Sequence, residues 1–170
     1  MKTILAPVDF SAATKHVVAE ATTLARALEG RVVLLNVTTP IVFVSDFIDP
    51  RENAAAITEQ EMQAAARRLS ALEDKLENEF VHVDSISLAG LPVPLIIEQA
   101  RKLPADYIVM GSHGHSAFYD LVAGSTTSGV VKRAPCPVII VPVGRLKHRK
   151  TARSLPVFEL EPLATSESPL

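Results

Sequence analysis

Five short apolar runs, separated by stretches of helical period, limit this chain to few folds. They are "TILAPV" (Thr3 to Val8), "RVVLLNV" (Arg31 to Val37), "VHVDSISLAG" (81–90), "ADYIVMG" (Ala105 to Gly111) and "PVIIVPV" (Pro137 to Val143). Runs of this length read as strands, and those without polar alternation as strands buried on both faces. The third alternates, with a slip near Ser85. Between the first two runs, Ser11 is placed to cap a helix whose apolar face falls at Val17, Ala21, Leu24 and Leu28, with Gly30 ending it in the left-handed conformation. From about Glu52 to Phe80 the face Met62, Ala66, Leu69, Leu72 and Leu76 predicts a long second helix. "PVPLIIEQARKL" predicts a third, with Pro92 in its first turn, and "STTSGVVKR" a fourth starting at Ser125. Strands alternating with helices predict an α/β fold, a single doubly wound, five-stranded, mostly parallel sheet with helices on both faces.

The 170 residues suit one folded domain, over 1–144, followed by a tail over 145–170. "RLKHRKTAR" packs five Lys/Arg into nine residues, and "SLPVFELEPLATSESPL" is rich in Pro, Ser and Glu. That tail is expected to be partly disordered or docked, its apolar cluster Leu155, Val157, Phe158 and Leu160 being able to dock on the body or on the mate in a dimer. A formal net charge of -2 offers no global attraction to nucleic acid or to an anionic membrane. No run is long enough to span a bilayer, and "MKTILAPVDF" is too short for a signal core, so the expected location is cytoplasmic. The single cysteine, Cys136, excludes an internal disulfide and reads as a small buried apolar group.

Function is written most densely between Gly111 and Pro142. A strand runs there into glycines at 111, 114, 124 and 129, although glycine loses more backbone freedom on folding than any other residue. Such glycines serve tight turns, or they let something approach closer than a side chain allows. In an open α/β sheet ligands lie outside the carboxyl ends of the strands, where the strand order reverses. Asp9, past the first strand, and Gly111, past the fourth, both fall at such an end. Gly124 and Ser125 open a helix, whose first amides form a natural anion site.

Gly111, Gly114, Gly124 and Ser125 satisfy G-x2-G-x9-G-[ST]. Together with the opening "ILAPVDFS" and the later "APCPVIIVP", they resemble the universal stress protein family over most of Met1 to Val143. The resemblance implies the family's five-stranded, adenine nucleotide alpha hydrolase-like sheet. It also implies binding of ATP or AMP, which the glycine pattern marks in that family, and a homodimer formed through the last strand, Pro137 to Val143. Carried across, Asp9 lies at the adenine–ribose end beside Pro7 and Val8, and the backbone of Val37 reads the adenine edge. Gly111, Ser112, Gly114, Gly124, Ser125 and Thr126 hold the phosphates. "AGLPVPLII" stands where the family turns into its third helix.

The resulting expectation is a stress-response regulator. Nucleotide occupancy would bias the loops at 38–50 and 111–125, and through them a dimer or an unknown regulatory protein partner. A P-loop lysine is absent, so backbone amides and hydroxyls carry the phosphates. Mg²⁺ is a candidate companion, because Asp120 in the loop would otherwise repel them. His113, His115 and Ser125 invite catalytic roles, but no orienting partner or G-x-S-x-G elbow accompanies them, which favours binding over chemistry. Two alternatives stay open at this point. One is a slow ATP hydrolase or nucleotidyl-transfer enzyme using the same pocket, and the other is a dimeric stress scaffold that binds no nucleotide.

Overall fold

The computed structural model describes residues 1–40, 54–77, 82–112 and 124–142. The elements run β1 (Thr3–Pro7), α1 (Thr14–Ala27), β2 (Arg31–Thr38), α2 (Ala54–Glu77), β3 (His82–Ala89), α3 (Pro92–Lys102), β4 (Tyr107–Gly111), α4 (Ser125–Val131) and β5 (Val138–Val141). The five strands form one sheet in the order β3-β2-β1-β4-β5, and every neighbouring pair is parallel. The tail after residue 142, with the docking expected of it, lies outside the described residues.

Alternation along the buried strands supplies two separate cores, because successive side chains leave a strand on opposite faces. Ile4, Ala6, Val32, Leu34 and Val109 pack with Val17, Ala21 and Ala25 of α1 and Leu69 and Leu76 of α2. Leu5, Val33, Leu35, Ile108 and Met110 pack with Ile96, Ile97 and Ala100 of α3 and Val130 of α4. The sheet is therefore covered on both sides, as a doubly wound fold requires.

Several local expectations are corrected. The left-handed residue after α1 is Glu29, at φ 49°, and not Gly30. The Gly30 amide donates to the Ala25 carbonyl at 2.8 Å and the Glu29 amide to Arg26 at 3.4 Å, the paired closure of a Schellman motif. Gly30 is bare for a different reason: a Cβ there would lie 2.6 Å from the Lys2 carbonyl oxygen. On α2 the buried alanine is Ala65, and Ala66 is exposed, so the face steps by three from Met62 and not by four. Leu28 is only half-buried, and Ala25 closes the buried stripe of α1.

The remaining differences are boundaries. The first strand ends at Pro7, although the Val8 amide still donates to the Leu35 carbonyl at 2.8 Å. Asp106 precedes β4, its amide donating to the Thr3 carbonyl. The last strand begins at Val138, after a proline that has no N–H to give, though the Pro137 carbonyl accepts from Ile108 at 3.0 Å. The slip expected at Ser85 does not break pairing, since β3 stays in register with β2 from His82 to Ala89. Cys136 is half-buried against the α3/α4 core, and that burial pushes its thiol pKa up, with the Asp106 charge adding to it.

Candidate functional site

The strand order reverses between β1, which leads on to β2, and β4, which leads outward to β5. A cleft of ≈ 320 Å³ opens at the carboxyl ends of these two strands. Pro7, Val8 and Asp9 line it from the end of β1, Val37 from the end of β2, and Met110 and Gly111 from β4. Gly124, Ser125, Thr126 and Thr127 line it from the start of α4. Four segments remote in sequence thus meet at the place where an open α/β sheet accepts ligands.

Each wall has a local cause. Asn36 interrupts an apolar strand and is buried. Its side-chain amide donates to the Val8 carbonyl at 2.8 Å, which fixes the chain as it leaves β1. Asp9 is exposed at the rim, where one of its oxygens accepts from the Ser11 amide at 3.0 Å. Phe10 then takes φ 59°, packs its ring on the α1/α2 core, and lies under the Arg68 guanidinium 5.3 Å from the ring centroid. Ser11 does not cap α1 as expected: the capping position is Ala13, which carries no side-chain cap. The Ser11 hydroxyl instead accepts from the Ala13 amide at 3.3 Å in the turn ahead of the helix, its carbonyl accepting from Thr14 at 3.1 Å.

Val37 contributes main chain. In a parallel strand, alternate peptide groups face opposite neighbours. Leu35 gives its carbonyl to Val8 and Thr38 gives its own to Gly90. The N–H and C=O of Val37 therefore face the β1 side, beyond the point where β1 has ended.

The α4 wall is held by Thr127, whose hydroxyl donates to the Gly111 carbonyl at 2.8 Å. Gly124 precedes the helix at φ -52°, ψ 159°, a conformation open to any L-residue. A turn does not need glycine there. What glycine supplies is a bare surface in the cleft, next to the Ser125, Thr126 and Thr127 amides, which have no partner within the helix. Ser112 stands beside this lining and not in it. Its amide donates to Val141 and its carbonyl accepts from Gly124, both at 2.9 Å. Gly114, His113, His115 and Asp120 lie outside the described residues, as does most of the 38–50 loop.

Sequence reasoning gave no site role to Ala13, Thr14, Val17, Pro92, Ile96, Met110 or Thr127, which also line the cleft. The hydroxyl of Thr14 is buried there without a hydrogen-bond partner among the described residues. Asp9 is the one carboxylate in the lining, and among the described residues no three His, Cys, Asp or Glu stand close enough to hold a metal. No described helix is long and apolar enough to cross a membrane.

Comparison with known proteins agrees with this architecture. A universal stress protein from Methanocaldococcus jannaschii is 30% identical over 142 residues, spanning 82% of this chain and 81% of the relative. The solved universal stress protein UspA from Lactobacillus plantarum superposes with a TM-score of 0.72 at 27% identity, over 82% of this chain and 97% of that one. The universal stress protein from Archaeoglobus fulgidus, solved in complex with dAMP, shares the fold with a TM-score of 0.61 at 20% identity, over 82% and 97%. The family model for universal stress proteins matches residues 1–142, the whole described domain, and the chain belongs to the universal stress protein family.

Proposed function

We propose that the cleft binds an adenine nucleotide, ATP or AMP, and that occupancy regulates contacts of a cytoplasmic stress-response protein with itself or with a partner. The observation that carries this reading is the meeting of Pro7–Asp9, Val37 and Gly111 with Gly124–Thr126 in one cleft at the strand-order reversal. The archaeal relative that holds dAMP supports it.

The residues fit the group part by part. The Val37 main chain offers one donor and one acceptor to a base edge. The partnerless Thr14 hydroxyl suits a polar ligand after a small side-chain adjustment. The bare amides beside Gly124, with the Ser125 and Thr126 hydroxyls, suit phosphate oxygens, and Ser112 and Gly114 belong to the same reading. Asp9 sits at the ribose end, where a carboxylate accepts from hydroxyls. Mg²⁺ enters only as a companion of the phosphates, since one carboxylate does not make a cage. Binding is the activity these groups support: among the described residues the lining supplies main-chain and hydroxyl groups that grip, and Asp9, its one carboxylate, accepts from the Ser11 amide.

Homodimerisation through β5 belongs to the same proposal. The strand lies at the sheet edge with Ile140 41% exposed, and a bare apolar edge invites pairing. Light scattering should return twice the monomer mass.

Native mass spectrometry of the purified protein, followed by calorimetric titration with ATP and AMP, tests the central claim. An adenine nucleotide carried through purification, or binding heat at micromolar to millimolar ligand, is the expected result. A heat-free titration at millimolar ATP and AMP refutes it and favours the scaffold reading. Phosphate release above background, with binding intact, would instead make the protein a hydrolase.

A further inference from the structure

A second concavity, of ≈ 810 Å³, lies between α3 and α4 on the face of the sheet away from α1 and α2. Val93, Pro94 and Ile97 give it an apolar floor, while Arg101, Lys102 and Arg133 stand around it against one carboxylate, Glu98. Glu98 is already paired with Lys102. Arg133, just past the end of α4, donates to the Gly129 carbonyl at 3.3 Å, and Arg101 has no ion-pair partner among the described residues. The two helices touch at one end of the groove, where a Cβ on Gly129 would lie 2.8 Å from a Val93 methyl. What remains open is an apolar trough with uncompensated positive charge.

The chain itself contains a segment of the opposite character. Residues 154–170 read "SLPVFELEPLATSESPL", with Glu159, Glu161 and Glu167 and no Lys or Arg. Within "PVFELEP" an extended backbone sets Phe158 and Leu160 on one face and Glu159 and Glu161 on the other. The bracketing prolines Pro156 and Pro162 favour that extended form over a helix. The preceding run 145–153, with its five Lys/Arg, is repelled by the same groove, so charge fixes which part of the tail enters it. Reach is no obstacle. The thirteen residues from 143 to 155 span up to about 45 Å when extended. A domain of this size has a radius of gyration near 15 Å, on the order of 2.2·N^0.38.

We propose that the acidic apolar segment around Phe158 and Leu160 docks intramolecularly in the α3/α4 groove, with these two side chains on Val93 and Ile97. Glu159 and Glu161 lie on the outer face, held by the positive field of Arg101, Lys102 and Arg133 around the groove and not by direct contact. The inference does not depend on what the cleft binds. The two sites do share walls: Pro92 and the first residues of α4 line the cleft, while Val93 and Arg133 line the groove.

The test places a photo-reactive benzoyl-phenylalanine at position 158 of the full chain and maps the cross-links by peptide mass spectrometry. The probe sits on the tail, so it leaves the folded domain intact. Cross-links within one chain to peptides covering 92–102 or 125–133 are expected. Arg101→Glu with Lys102→Glu, both exposed, should lower their yield at least fivefold, and adding Glu159→Lys with Glu161→Lys should restore it. Cross-links to β5 or to the cleft, cross-links between two chains, an absence of cross-links, or a yield indifferent to the charge swap would each overturn the proposal.

Discussion

At the amino ends of the strands, charged side chains close the sheet against each other, whereas at the carboxyl ends main-chain groups and small residues leave it open. Asp106 accepts from the Lys2 ammonium and from the Thr3 amide, both at 2.8 Å. Arg31 reaches Asp84 at 3.0 Å and the Thr3 hydroxyl at 3.3 Å, which ties β1, β2 and β3 together. At the other end Asn36, Thr127 and Ser112 hold the backbone in place, while Gly111, Gly124 and the first residues of α4 line the cleft. The difference separates two uses of polarity. Groups that satisfy one another stabilise the fold, and groups held rigid without a partner within their own helix are available to something else.

Gly124→Asp breaks the comparison most sharply. Aspartate is a preferred residue ahead of a helix, and the backbone at φ -52°, ψ 159° accepts it, so thermal stability should hold or rise slightly. Its carboxylate would nevertheless occupy the bare surface and repel phosphate. Losing charge-assisted contacts there should cost about 2–3 kcal/mol, roughly 30- to 150-fold in Kd by titration calorimetry. A variant that binds ATP and AMP as tightly as the parent would show that the open end is not the phosphate site.

Asn36→Leu probes the boundary between the two uses. The substitution keeps the branched skeleton, though with bulkier methyl ends, and removes the donor to Val8, leaving a buried carbonyl unmatched at a cost of about 1–3 kcal/mol. Urea unfolding should show that loss as a lower midpoint with an unchanged slope. Because Val8 and Asp9 follow directly from this contact, nucleotide affinity should fall severalfold as well. A stability loss with intact affinity would assign Asn36 to the scaffold alone.

How much of this was legible beforehand depends on whether a residue's reason is local. The apolar runs and their helical spacers announced the layers, because burial on both faces leaves no polar alternation. Of the residues expected at the cleft, Gly111, Gly114, Gly124 and Ser125 came from a spaced motif and the others from the family resemblance. Eight of the nine that fall among the described residues line it, and Gly114 lies outside them. Gly30 misled because glycine after a helix suggests a left-handed turn, while its actual constraint is the Lys2 carbonyl, just ahead of β1 and remote in sequence. Ala65 and Ala66 differ only in which turn of α2 meets the sheet, and composition cannot separate two adjacent alanines. Asn36 did leave a trace, as a lone amide within "RVVLLNV", but its partner is a backbone carbonyl 28 residues earlier. Thr14 and Thr127 left none, since a threonine in a first helical turn reads as ordinary.

The smallest effect belongs to the closed end, and it carries a pH signature. The Lys2 ammonium, followed by the Thr3 amide, holds the Asp106 carboxyl below its ordinary range, and the same pair raises Lys2. A lowered carboxylate pKa contributes stability that is present above its unfolded value, about 3.9, and is lost as pH falls through the folded value. A raised lysine contributes below its unfolded value, about 10.4, and loses that contribution as pH rises through the folded one. Between those limits the pair is constant. Lys2 is solvent-exposed and Asp106 half-buried, still open enough to solvent for the effect to be small and to weaken with salt. Asp106→Asn should therefore be slightly less stable than the parent at neutral pH and low salt, with the gap closing below about pH 4 and again above about pH 10. Nucleotide affinity should not change, because the carboxylate lies across the sheet from the cleft. An affinity loss in this variant would mean that the two ends of the sheet are coupled, and the division drawn between them would fail.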